Sequence, residues 1–161
     1  IEYSPATIYL HFESREAIGR QLCAETFAHM LGYFAPLAAI ADPVARLQAI
    51  GRAYARFGLE NPEEYKLLFM SGEQYMDTLL GETDEECSTG QRVFDVLAET
   101  VRECIARGAI ADRDPILIGE SLWASLHGAL SLALTSKRVL ESPVEDVLEM
   151  LVVTLLRGLS A

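Results

Sequence analysis

The side chains able to do acid-base, nucleophilic or ligating chemistry in this 161-residue sequence are few and widely spaced. His11, His29 and His127 are remote from one another, and Cys23, Cys87 and Cys104 form no close pair. Neither the His/Cys/carboxylate spacing of a metal site nor a disulfide framework is legible. No glycine-rich phosphate loop or nucleophile elbow accompanies the thiols, so an enzyme is the weakest class, and neither metal nor cofactor is expected. The acids from Glu82 to Glu86 read as a solvated face rather than a cation site. Two spacings of four residues are more informative. Thr7 and His11 share one side of a helix, while Ile8 and Phe12 form a neighbouring apolar side, so one face can read while the other packs. Trp123 and His127 also share a side, and Gly128 beside them permits close helix approach. An indole and an imidazole so placed either bond within a helical bundle or meet a small molecule.

Helices must position these residues. Only 11 glycines and 6 prolines punctuate the chain, and most prolines follow a capping residue. Ser4-Pro5 begins a short helix to about Phe12. Ser14 caps the next, with Ile18, Leu22, Phe27, Met30 and Leu31 running toward Gly32 or beyond. Asp42-Pro43 opens a helix carrying Leu47, Ile50, Tyr54 and Phe57 as one stripe, which stops near Gly58 to Glu60. Asn61-Pro62-Glu63-Glu64 supplies the next start. Residues 71–90 weaken into an acidic connection, and helix character returns from about Gln91 to Arg107-Gly108. Asp114-Pro115 and Ser142-Pro143-Val144-Glu145 open the last two helices. No alternating strand pattern is sustained. The expected class is all-α, with roughly seven helices.

Half of the residues are apolar, which excludes general disorder, and no run of 18 uncharged apolar residues offers a simple membrane span. The three unpaired cysteines and the absence of a secretory signal suit a reducing, cytoplasmic location. The net charge of −11 argues against nonspecific attraction to a polyanion but does not speak for one small surface element. The final two helices are apolar nearly all round. Either they are the core of a monomer or two copies pack them as a four-helix dimer interface through Ser121, Ser125, Gly128, Leu132, Val147, Leu151 and Leu155.

Residues 3–22, with Ser4, Thr7, Tyr9, His11, Phe12 and Arg15 at fixed spacing, resemble the DNA-reading helix and following hinge helix of the TetR family of bacterial transcriptional regulators. The resemblance implies a truncated helix-turn-helix unit, lacking its first helix and most or all of its second, which suits the opening Ile-Glu-Tyr-Ser-Pro. It implies that Ser4 and Tyr9 contact phosphates, with Pro5 in the first turn, and that Ala6 and Thr7 lie nearest the bases. His11 would touch or support the backbone, and Arg15 would hold a further phosphate. Glu2, Glu13 and Glu16 make this stretch less basic than a free-standing DNA binder, so compensating Lys and Arg are expected upstream.

Trp123-Ala-Ser-Leu-His127-Gly128 resembles one branch of the same family. The resemblance then divides the chain into a helix-turn-helix remnant at 1–13, a connecting helix at 14–41, and an effector-binding and dimerisation domain at 42–161. It implies an effector cavity lined by Tyr54, Phe57, Tyr65, Phe69, Phe94, Leu97, Trp123 and His127, an apolar wall suited to a small aromatic or lipophilic molecule. The function implied is a homodimeric repressor, released from a palindromic double-stranded operator by that effector, with no membrane partner. A helical ligand-binding or dimerisation protein without DNA function is the alternative.

Overall fold

The computed structural model describes residues 14–70, 88–136 and 139–160. The expected recognition helix and acidic connection lie outside the described residues. Within them are six α-helices: α1 (Arg15–Phe34), α2 (Pro43–Glu60), α3 (Pro62–Met70), α4 (Ser88–Ala106), α5 (Pro115–Thr135) and α6 (Val144–Leu159). A single 3-10 helix, Ala35–Ala39, joins α1 to α2, and no strand is found among the described residues, only an isolated bridge between Ile110 and Ser160.

Local chemistry explains most boundaries. Ser14 Oγ accepts from the Ala17 amide at 3.1 Å, and α1 runs past Gly32 until Pro36, which has no N–H to continue the ladder. Asp42 accepts from the amides of Val44 and Ala45, and Asp114 from that of Ile116, each with proline in the first turn. Gly108, at φ +67°, closes α4: its amide reaches Ile105 O, while that of Ala109 reaches Cys104 O, the paired bonds of a Schellman motif.

Two expected caps differ. Asn61 turns backward: its Nδ2 donates to Phe57 O at 3.1 Å and to Tyr33 Oη at 3.0 Å, so it finishes α2 and ties it to α1. Ser142 does not cap α6. Pro143 occupies the cap position without a side-chain bond, and the helix begins one residue later than expected. Where a carboxylate precedes proline, its charge secures the amides of the first turn; the Ser142 hydroxyl forms no such bond.

The central element is α2, which packs on α1, α3, α4, α5 and α6. Close approach depends on its glycines. A Cβ at Gly51 would lie 3.0 Å from Val152 Cγ2 of α6, and one at Gly58 would overlap Leu130 of α5 and sit 2.9 Å from Tyr65 Cδ2. Gly128 makes no comparable approach, since a Cβ there would meet nothing within 4 Å. The core joins Cys23, Met30 and Phe34 of α1 to Leu47, Ile50 and Phe57 of α2 and to Leu122, Leu126 and Leu130 of α5. The connecting helix therefore shares the core of the elements after it. By length and composition α5 is apolar enough to cross a membrane, but a core helix meets the same test, and α5 packs along α2, α4 and α6.

Candidate functional site

A cavity of about 510 Å³ lies between α1, α2, α4, α5 and α6. The stripe that α2 turns inward contributes Leu47, Ile50 and Tyr54; α3 adds Phe69, α4 adds Phe94 and Leu97, and α5 adds Leu122, Trp123 and Leu126. Five of the expected wall residues, Tyr54, Phe69, Phe94, Leu97 and Trp123, do line it.

Phe57, Tyr65 and His127 do not. Phe57 is fully buried against α1, with its ring centroid 5.6 Å from His29 and 5.5 Å from Tyr33. Around the helix Phe57 lies only about 20° from Ile50, so it is its place along the axis, seven residues or roughly 10 Å beyond Ile50, that sets it against α1 instead of the cavity. Tyr65 and His127 stand behind Tyr54 in a chain of hydrogen bonds. Trp123 Nε1 donates to Tyr54 Oη at 3.2 Å; the Tyr54 and Tyr65 hydroxyls are 2.9 Å apart; Tyr65 Oη is 2.5 Å from His127 Nδ1; and His127 Nε2 is 3.2 Å from Ser131 Oγ. Tyr54 Oη also lies 3.3 Å from His127 Nδ1.

One proton order satisfies the whole chain: Tyr54 donates to Tyr65, Tyr65 to Nδ1, and Nε2–H to Ser131, an assignment made from the network itself. Burial pushes His127 below its ordinary value and both tyrosines above theirs, Tyr54 furthest, with Tyr65 beside it adding to the rise. Every group is then neutral near pH 7. Phe69 packs across this cluster, 4.9 Å from Tyr65, 5.4 Å from His127 and 6.0 Å from Trp123 between centroids. The Trp123/His127 spacing thus joins a wall residue to its half-buried support.

The residues of α1 and α6 were not anticipated as cavity wall. Phe27, Met30 and Phe34 enter from α1 and Val152, Leu155 and Leu156 from α6. Their spacing of three and four is the available signal, but such a stripe is indistinguishable from ordinary packing until the partner helices are known. Leu155, expected at a dimer contact, is among the residues that line this cavity. Of the other residues expected there, Leu151 and Val147 are half-buried, whereas Ser121, Gly128 and Leu132 lie exposed on α5, Leu132 at 45%. Ser125 is half-buried, its hydroxyl turned back to Ser121 O.

Ser4, Pro5, Ala6, Thr7, Tyr9 and His11 lie outside the described residues. Arg15 is the first residue of α1, and its side chain is likewise outside them. Among the described residues no group of three His, Cys, Asp or Glu could hold a metal ion. Cys23 and Cys104 are free and buried, and burial pushes both thiols up.

A family model for the tetracyclin repressor-like C-terminal domain matches residues 47–155, the stretch that contributes the larger part of the cavity wall. A Rhodococcus sp. RHA1 protein of unknown function superposes with a TM-score of 0.80 at 25% identity, covering 98% of this chain and 79% of that one. The TetR family transcriptional regulator PfmR of Thermus thermophilus superposes at 0.73 and 20% identity, over 98% and 84% of the two chains. A TetR/AcrR family regulator from Thermobifida fusca gives 0.66 at 19%, over 97% and 80%. No curated protein matches the sequence.

Proposed function

We propose, for a chain that belongs to the tetracyclin repressor-like (TetR) family of transcriptional regulators, that it works as a cytoplasmic homodimeric repressor released from a palindromic operator by a small apolar or aromatic effector. The observation that carries this reading is the coincidence of the family match at 47–155 with an apolar cavity that also takes three residues from α1. Since Phe27, Met30 and Phe34 are wall and α1 alike, an effector that fits one position of this helix better than another shifts the population between them. Arg15 opens the same helix, and the stretch from Ser4 to His11, to which the DNA contacts are assigned, precedes it in sequence. The dimer contact is assigned to the exposed, largely uncharged face of α5 that holds Ser121, Gly128 and Leu132.

Selection of DNA by the protein, followed by binding with candidate effectors, tests the reading. Thr7→Ala weakens the selected operator more than random DNA, whereas Arg15→Ala weakens both. Specific binding that is missing from a broad DNA library, or two variants that bind like the wild type, overturns it.

A further inference from the structure

We propose that the molecule received by this cavity is a lipophilic monocation, an apolar body carrying one ammonium-type charge held between aromatic faces and the carboxylate of Glu120. The inference rests on the reading of the cavity as the effector site and adds the sign of the effector's charge.

Two observations point the same way. Apart from the Tyr54 hydroxyl, Glu120 is the only ionisable side chain among the described lining residues, and no Lys, Arg or His is with it. It has no ion-pair partner among the described residues. Second, Glu120 stands one turn before Trp123 on α5, and the neighbouring Gly119 faces Phe94, where a Cβ would lie 3.3 Å from Cζ. Glu120 is an exposed residue of a lining that also holds Phe27, Tyr54, Phe69, Phe94 and Trp123, whose electron-rich faces attract a cation. Phe27 meets Phe69 edge to face at 6.2 Å, and Phe69 is tilted to Trp123 at 6.0 Å, so the rings form one continuous surface.

An anionic effector would surrender its hydration to a wall that offers no cation in return. A neutral one is compatible with the apolar wall but draws nothing from Glu120. The two remaining polar groups serve an anion no better: the Trp123 N–H is committed to Tyr54, and the Gln91 amide gives one of its two N–H groups to Asp95 at 2.8 Å, a carboxylate whose charge repels an anion.

Trp123 is the only tryptophan, so its fluorescence reports occupancy directly. Decyltrimethylammonium, decanol and decanoate, each below its micellar concentration, share one tail and differ in charge. The cation is expected to quench Trp123 with an affinity about tenfold above that of decanol, with decanoate weakest. Glu120→Gln, at an exposed position, is expected to bring the cation down to within about threefold of decanol. Decanol or decanoate binding as tightly as the cation, no quenching by any of the three, or an unchanged preference in the variant overturns the proposal. Operator binding is measured separately. If the protein binds no operator, the regulatory reading fails while the quenching series still decides the charge preference; if operator is released by decanol or decanoate and not by the cation, regulation stands and this inference fails.

Discussion

The Tyr54, Tyr65, His127 and Ser131 chain sets what single side chains contribute. Tyr65→Phe removes the hydroxyl that is acceptor for Tyr54 and donor to His127 Nδ1, leaving those two groups only their longer 3.3 Å approach to each other. A loss of about 1–3 kcal/mol in unfolding free energy is expected, read as a lower urea midpoint at unchanged slope. His127 supplies the pH dependence. Its folded value lies below the unfolded one, so the unfolded chain takes up the proton first. The stabilisation is therefore whole above the unfolded value, about 6.5, and is lost as pH falls from there through the folded value. Urea midpoints of wild type and His127→Asn should diverge at pH 7.5 and draw together by pH 5; parallel curves would remove His127 as the titrating group. Trp123 and His127 were legible as a pair because four residues return a helix to the same side. That only the indole would reach the cavity was not, since it depends on Tyr65 arriving from α3 to occupy the imidazole.

Among the helices, starts were more legible than packing. Asp42-Pro43 and Asp114-Pro115 announce their helices because a carboxylate and a proline act within three residues of each other. Ser142-Pro143 offers the same pattern with a hydroxyl, and α6 begins without its help. Glycines were harder to read, because what a missing methyl allows is decided by a distant element. Gly58→Ala places that methyl against Leu130 and Tyr65, and a cost of about 1–3 kcal/mol is expected from overpacking. Gly32→Ala, also within a helix but facing open space, is expected to gain about 0.5–1 kcal/mol. Thermal or urea unfolding of both variants checks the contrast, and equal effects would sink it. The length of α2 is a further limit on pattern reading: the stripe from Leu47 to Phe57 keeps to one side of the helix yet serves the cavity at one end and α1 at the other.

For the whole molecule, the all-α class was legible from caps and periodicity alone, while the division into a connecting helix and a separate C-terminal domain was coarser than the core itself. Met30 and Phe34 are core and wall together, so residues 14–41 cannot be separated energetically from the helices that follow. The dimer assignment makes its prediction at this scale. Leu132 is exposed on α5, in line with Ser121 and Gly128 on a stripe free of charge. Leu132→Glu is expected to turn a dimer into a monomer in sedimentation equilibrium without lowering helix content by circular dichroism, because the residue supports nothing in its own chain's core. A wild type that sediments as a monomer, or a variant that remains dimeric, defeats it. The pair Arg52–Glu149, bonded through two nitrogens at 2.6 and 2.7 Å between α2 and α6, is about half exposed at each partner and adds no more than about 1 kcal/mol.

The Asn61 amide has a mechanical consequence. With Glu60 accepting from Tyr33 Oη at 2.7 Å, Glu64 holding His29 at 2.8 Å and Arg56 lying over the Tyr33 ring, it clamps the C-terminal end of α1. A helix clamped at one end is a lever. Arg15 is 18 residues from Tyr33, a reach of roughly 27 Å at 1.5 Å per residue, so each degree of tilt about that fulcrum sweeps Arg15 through roughly 0.5 Å. Phe27 and Met30 sit close to the fulcrum, where a displacement too small to disturb the core becomes several times larger at the far end of the arm.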